Sequence, residues 1–255
     1  MSQDLTANLT DLQQRLQAHA QPQTKAWWEA YLKQVLPFRG VKMALIRKSV
    51  HTWHQERLVT ADNQLEHALA LLYQEHAEDK LAGILVLQEI LLETLQWQHD
   101  LAKLAAAFAE GAIQDWNTCD WLCVKVLGPL AQLRGEPCAR AIAAWHQADT
   151  LWQRRAAGVA FVNLAPHGDA NFVGFTDMLL TVCASNVRDP ERFAQTGTGW
   201  VLRALWLAEP ARVEAFIRAH LLFFSSEGLR YATEKMPLAE KRYWRTQRQA
   251  ARATP

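Results

Sequence analysis

Three short stretches place a tryptophan near a charged side chain at helical spacing. In Asp115-Trp116-Asn117-Thr118-Cys119-Asp120 the indole and the carboxylate of Asp120 are four residues apart, so on a helix their Cβ atoms lie about 5–6 Å from each other on one face. Trp152 and Arg155 stand three apart in Leu151-Trp152-Gln153-Arg154-Arg155-Ala156-Ala157, and Trp200 follows two glycines in Gly197-Thr198-Gly199-Trp200-Val201-Leu202-Arg203. The chemistry open to such groups is the handling of positive charge. An indole face attracts a cation through its quadrupole, and an ionised carboxylate held beside it favours charge that develops during a reaction. Each glycine costs about 1 kcal/mol relative to alanine inside a helix, so something is expected to approach the backbone closely there. Taken one at a time, each pair reads more simply as a core tryptophan next to a surface ion.

Helices must carry these groups. Apolar residues recur at intervals of three and four almost everywhere: Leu81, Ile84, Leu85, Leu91, Leu92 and Leu95, with Gln88 among them, outline one buried helical face, and Leu202, Leu205 and Trp206 another. No stretch of several residues alternates polar and apolar. Breaks are expected at Gln21-Pro22, Pro37–Gly40, Thr60–Asn63, Gly128-Pro129, Gly135–Pro137, Pro166–Asp169, Asp189-Pro190, Pro210, Ser225–Gly228 and Pro237. Asp189 with Pro190 has the form of an N-cap followed by proline at the first helical position. Helices joined by short loops imply antiparallel neighbours stacked in pairs, which describes an α-solenoid of degenerate helical hairpins as readily as a bundle. No composition shift divides the chain, and residues 1–255 are expected to form a single all-α domain.

Composition excludes several classes. The chain has 255 residues, half of them hydrophobic, and a compact chain of that size buries about three quarters of its unfolded surface, so its core needs neither disulfides nor metal. Eleven glycines and nine prolines are too few for the turns of an all-β sandwich or barrel. The longest clean apolar run, Leu81–Leu87, is too short to span a bilayer, and no basic stretch leads into an apolar one at the N-terminus; a soluble cytoplasmic protein is expected. Cys119, Cys123, Cys138 and Cys183 make no disulfide framework, and none of the nine histidines completes a metal site with them. They read as small packed hydrophobes, and no metal or cofactor is expected.

A net charge of +1 conceals an uneven distribution. From Glu227 to Pro255 seven basic residues, Lys241, Arg242, Arg245 and Arg248 among them, oppose three acids, a balance of +4 that leaves −3 for the rest. Arg39, Lys42, Arg47 and Lys48 form a second basic patch with no acid among them. Two basic margins about an acidic middle suit a polyanion held at its edges, although on charge alone a solvated tail is as good a reading.

The stretch from Trp27 to Trp200 resembles the AlkD family of bacterial DNA glycosylases. The resemblance rests on Tyr31-Leu32-Lys33 followed by Phe38-Arg39-Gly40-Val41, on Trp116-Asn117-Thr118-Cys119-Asp120, on Leu151-Trp152-Gln153-Arg154-Arg155-Ala156-Ala157, and on Gln195-Thr196-Gly197-Thr198-Gly199-Trp200-Val201-Leu202-Arg203. The four segments come in the family's order. The resemblance implies a right-handed α-solenoid of HEAT-like repeats with a concave DNA-binding face. It casts Asp120 as the catalytic carboxylate, Trp116 and Trp200 as the aromatics framing the lesion's deoxyribose, Arg155 as a contact to the DNA backbone and Tyr31 as a neighbour of the same cleft. Trp152, Arg203 and the basic residues Arg39, Lys42, Arg47, Lys48, Lys241, Arg242 and Arg245 are the further DNA contacts expected. The chain departs from the pattern at Thr196, where the best-known members carry lysine, and in a longer segment that contains Pro166-His167-Gly168-Asp169.

The activity so implied is removal of cationic N3- or N7-alkylated purines from double-stranded DNA. Alkylation makes the base a good leaving group, and the C1′–N bond breaks toward an oxocarbenium-like sugar. At ~4 Å and an effective dielectric of ~20 a carboxylate is worth up to ~4 kcal/mol against such a charge, about three powers of ten in rate. No lysine adjoins Asp120 in the matched helices to form a Schiff base, so an abasic site is the expected product. The resemblance further implies a lesion that stays stacked. The chain is expected to act as a monomer. Rival readings are a DNA-structure binder without catalysis, a self-protection glycosylase for bulky adducts, and a protein-interaction solenoid.

Overall fold

Fifteen α-helices and no strand form among the described residues, 3–57 and 61–253, of the computed structural model. They gather into two compact units, Met1–Trp121 and Leu122–Pro255, and the boundary falls in the last turn of a helix where composition does not change. No helix among the described residues is long and apolar enough to cross a membrane.

The first unit contains α1 (Gln3–Gln17), α2 (Pro22–Tyr31), α3 (Met43–Arg57), α4 (Ala61–Leu72), α5 (Ala77–Val86), α6 (Trp97–Ala109) and most of α7 (Trp116–Leu122). Of the break expected at Thr60–Asn63, Thr60 lies outside the described residues, and α4 is already formed at Ala61. Leu5, Leu9, Leu12 and Leu16 recur at three and four along α1 and are all buried. They pack toward α3, whose Trp53 indole N–H donates to the Asn8 carbonyl at 2.9 Å. Asp11 ties the same two helices by pairing with Arg15 and Arg57, and the Arg57 hydrogen bond leads in holding its carboxyl below the usual range.

Every residue of α5 is buried, including the consecutive Glu78, Asp79 and Lys80. Each finds partners beyond its own helix. The Glu78 carboxylate accepts the backbone N–H groups of Arg39, Gly40 and Val41 at 2.9, 2.8 and 3.0 Å. Asp79 pairs with the Arg39 guanidinium at 2.8 Å. The Lys80 ammonium donates to the carbonyls of Leu72 and Ala112 at 2.7 and 2.8 Å. Burial pushes the Asp79 carboxyl up despite Arg39, and pushes the Lys80 amine down. The helical face expected to continue from Leu81 to Leu95 is interrupted by a π-helical turn at Leu87–Leu91. Within it Gln88 is only half-buried while its neighbour Leu87 is buried, and Leu91 and Leu95 are buried as expected.

The second unit begins with a π-helical turn, Cys123–Leu127, that runs straight into α8 (Gly128–Arg134). The break expected at Gly128-Pro129 is therefore a change of helical register instead of a loop. Proline lacks the N–H that an α-helix interior uses and crowds the carbonyl one turn earlier, and the wider turn before it relieves both. There follow α9 (Glu136–Ala143), α10 (Leu151–Val159), α11 (Phe175–Asn186), α12 (Arg192–Leu205), α13 (Pro210–His220), α14 (Ser226–Ala232) and α15 (Leu238–Ala253). Helix α12 is central, packed on α10, α11 and α14. Its N-cap is Glu191, two residues beyond the expected Asp189. Asp189 instead accepts the Glu191 N–H at 2.9 Å in an Asx turn and receives Arg154. All four cysteines are buried, with Cys138 pushed up to about 11 by burial.

Replacing Glu78 with alanine strips the acceptor from three backbone N–H groups inside the first unit. The loss is expected to be about 3–5 kcal/mol, the range for removing one side of a buried charged network, read as a fall in the urea midpoint. Glu78→Gln, which keeps one acceptor oxygen, is expected to lose less.

Candidate functional site

Helix α7 begins at a buried anchor. The Asp115 carboxylate accepts the Thr118 N–H at 2.9 Å, closing the first turn, and burial holds its carboxyl above the usual range. Asn117, Thr118 and Cys119 face inward, which leaves Trp116 and Asp120, one turn apart, half-buried. The Lys80 bond to the Ala112 carbonyl fixes the turn just before this helix.

Trp116 belongs to a tier of aromatic rings. Beneath it, Leu32, Leu36, Phe38 and Ala77 form a small core against which Trp116 and Trp28 pack, with Trp28 stacked on Phe38 at 5.6 Å. Tyr31 meets Trp116 edge-to-face at 5.4 Å, and Trp27 stacks on Tyr31 at 5.1 Å with the rings within 14° of parallel. Tyr31 and Trp27 are 52% and 58% exposed. The rings thus grade from buried to open, and Tyr31 and Trp116, which the family resemblance assigns to one cleft, lie in contact. Helix α2 ends directly after Tyr31 in two residues with left-handed backbone, Lys33 and Gln34 (φ 54° and 60°), while the Glu29 carboxylate accepts the Phe38 N–H at 3.1 Å. Such a backbone is costly for a residue with a side chain, and it turns the chain sharply enough to set Phe38 beneath Trp28.

The basic patch of the first unit divides in two. The Arg39 side chain is 8% exposed and committed to Asp79, and Arg47 pairs with Glu89 at 2.7 Å. Lys42 and Lys48 are exposed.

In the second unit Arg155 is 5% exposed. Its guanidinium crosses to α12 and donates to the Phe193 carbonyl at 2.8 Å and to the Thr196 hydroxyl at 3.4 Å. Thr196, the position of departure from the family pattern, is therefore an internal partner of Arg155. The two glycines expected to admit a close approach do so for the protein itself. A Cβ at Gly197 would stand 3.0 Å from the Arg155 guanidinium, and one at Gly199 would stand 2.6 Å from both the Gly228 carbonyl and the Tyr231 Cβ of α14. Trp200 is half-buried, with the Arg203 guanidinium 5.8 Å from its ring centre, and Arg203 pairs with Glu234. Trp152 leans on Phe193 at 4.9 Å. Lys241 is half-buried on α15, whereas Arg242 and Arg245 are exposed. Asp169 caps the turn before α11, accepting the Thr176 N–H at 2.7 Å.

Two features escaped the reading of the sequence. Trp27 was one of eleven tryptophans, and only its exposure separates it from core filling. The Glu78-Asp79-Lys80 triplet did carry a signal, three charges in an otherwise apolar helix. Chemically, the first unit offers a carboxylate one helical turn from an indole that is bordered by open aromatic rings: a surface suited to a cation attached to a planar group.

A family model described as DNA alkylation repair enzyme matches residues 12–236. A solved structure described as a predicted DNA alkylation repair enzyme from Enterococcus faecalis is similar in fold, with a TM-score of 0.71 and 20% identity over 86% of this chain and 98% of that one. No curated protein matches the chain.

Gly199→Ala is expected to force α12 from α14, because its Cβ would meet backbone and a Cβ instead of a flexible side-chain end. Overpacking of this kind costs about 1–3 kcal/mol, measurable as a lower urea midpoint. An unchanged midpoint would show that the two helices are not in firm contact at Gly199.

Proposed function

The chain belongs to the family of DNA alkylation repair enzymes, and from that premise we propose that it is a monofunctional DNA glycosylase acting on cationic N3- and N7-alkylated purines in duplex DNA. The observation that carries this reading is the placement of Asp120 one helical turn from Trp116, at the foot of an aromatic tier that opens to solvent. A positively charged purine needs little help to leave. What the reaction requires is stabilisation of the sugar as its C1′–N bond stretches and a water directed to C1′. An ionised carboxylate meets both needs: it opposes the growing charge and accepts a proton from the attacking water. The base departs with the bonding electron pair, the water oxygen bonds to C1′, and an abasic site remains. Helix α7 carries no lysine, so no amine on it competes for C1′ and strand cleavage is not part of the reaction.

The rings act on the same charge. The Trp116 face supports a cationic sugar without trapping it. Because Tyr31 and Trp27 stand open instead of walling in a pocket, the surface favours a lesion that remains in the stack. Their exposure also favours a second reading, in which the natural substrates carry bulky substituents that can lie across the Tyr31–Trp27 pair.

The deciding assay is base release from heavily methylated duplex DNA, with native protein beside Asp120→Asn. Native protein is expected to release 7-methylguanine or 3-methyladenine, and the variant to lose about a hundred- to a thousand-fold in rate while still binding duplex. Release of neutral bases such as uracil alone would overturn the proposal. Binding without release from methylated or bulky-adduct DNA would establish a DNA binder without catalysis.

A further inference from the structure

Helix α15 lies wholly beyond the family match, which ends at residue 236, yet it is firmly seated. Trp244 is buried beneath it, with Arg218 over its ring, and Arg248 donates to the Phe224 carbonyl at 2.7 Å and to the Ser226 hydroxyl at 2.9 Å. Between α15 and α14 runs a groove of about 600 Å³. One wall carries Lys241, Arg245 and Arg248, spaced by four and three so that they share a helix face. The other carries Glu227, Arg230 and Glu234.

Lys241 and Arg245 are not neutralised within the groove, although Arg230 lies 3.7 Å from Glu227. Both acids of α14 are claimed from α12: Arg192 grips Glu227 with two hydrogen bonds of 2.7 and 2.9 Å, and Arg203 pairs with Glu234. Among the described residues neither Lys241 nor Arg245 has an acidic partner. A spare cation at every turn, about 5–6 Å from the next, suits a ligand whose negative charge repeats along its length. Arg242, next in sequence to Lys241, does not line the groove.

We propose that the α14–α15 groove is a phosphate-binding site that holds the sugar-phosphate backbone of duplex DNA through Lys241 and Arg245. One wall of the site lies on α15, beyond the residues the family model matches, and the site rests on the reading of duplex DNA as partner, not on the glycosylase reaction. It gives affinity without sequence preference, since phosphates carry no sequence information. Arg248, held by the chain itself, positions α15.

The test is fluorescence anisotropy of an undamaged duplex, titrated at a series of salt concentrations with native protein, Lys241→Ala/Arg245→Ala and Lys235→Ala, Lys235 being an exposed cation between α14 and α15 that does not line the groove. Each phosphate contact adds about 0.9 to the slope of log affinity against log salt, so the double variant is expected to lower that slope by about 2 and to bind at least about tenfold more weakly at ~0.1 M salt. Lys235→Ala is expected to keep the native slope. Circular dichroism checks that α15 remains folded, and Lys241→Gln/Arg245→Gln, which keeps polar side chains on the helix, is expected to repeat the result. A native slope in both double variants would overturn the proposal. So would an equal loss in Lys235→Ala, which would mark a diffuse basic tail, or binding to phosphatidylserine vesicles that depends on the pair while the DNA slope does not. Undamaged DNA offers no base to release, so the groove and the glycosylase reading fail separately.

Discussion

Three consecutive charges inside the first unit hold its site together. Burying a charge costs several kcal/mol unless partners are supplied at good geometry, and Glu78, Asp79 and Lys80 each demand partners from outside their own helix. Glu78 draws the N–H groups of residues 39–41 inward, and Asp79 draws in the Arg39 side chain from the same loop. Gly40 permits that path: its φ is 89°, and a Cβ there would stand 2.3 Å from the Gln21 carbonyl. Lys80 reaches the other way, joining the end of α4 to the turn before α7. One buried triplet therefore sets both the loop that follows Phe38 and the approach to Trp116. The Tyr31–Trp116 contact is a consequence of where those two segments are pinned.

The second unit solves a similar problem with hydrogen bonds and small residues. Gln195 is buried and bonds the carbonyls of Val187, Asp189 and Phe223 while accepting the Ser225 N–H at 2.9 Å. It joins the start of α12 to the turn that opens α14. Gly197 and Gly199, one turn or less further on, let Arg155 and α14 press against the same helix. The cost of glycine in a helix is thus spent on packing, and the rigid α12 that results carries Trp200 and Arg203.

Local pattern made the helices legible, since apolar spacing of three and four is written in each segment by itself. It also placed Trp116 and Asp120 on one face, because that relation spans a single turn. What it missed depends on partners far along the chain. Nothing within a few residues of Glu78 shows that its acceptors will be used by a loop about forty positions earlier. The π turn at Leu87–Leu91 has no mark in the apolar spacing, and Asp189 serves an Asx turn and Arg154 because α10 lies against it. Arg39 read as a surface cation for the same reason: its charge was visible and Asp79 was not yet beside it.

Several arginines are committed to the chain itself, while other cations stand open to solvent. Arg39, Arg154, Arg155, Arg192 and Arg203 are bound to carboxylates or carbonyls of the chain itself, where a planar fork of donors can satisfy several acceptors at once. Lys42 and Lys48 stand exposed, as compact charges on flexible stems that can follow a mobile anion. This division matters for the reaction proposed. A cationic purine would be repelled by an unpaired guanidinium in the loop beneath the aromatic tier, and Asp79 removes that repulsion by neutralising Arg39. In the function proposed, attraction for the DNA would come from exposed cations such as Lys42 and Lys48, and attraction for the lesion from indole faces and Asp120. A site arranged in this way can bind a polyanion without opposing the positive charge on the base it is to release.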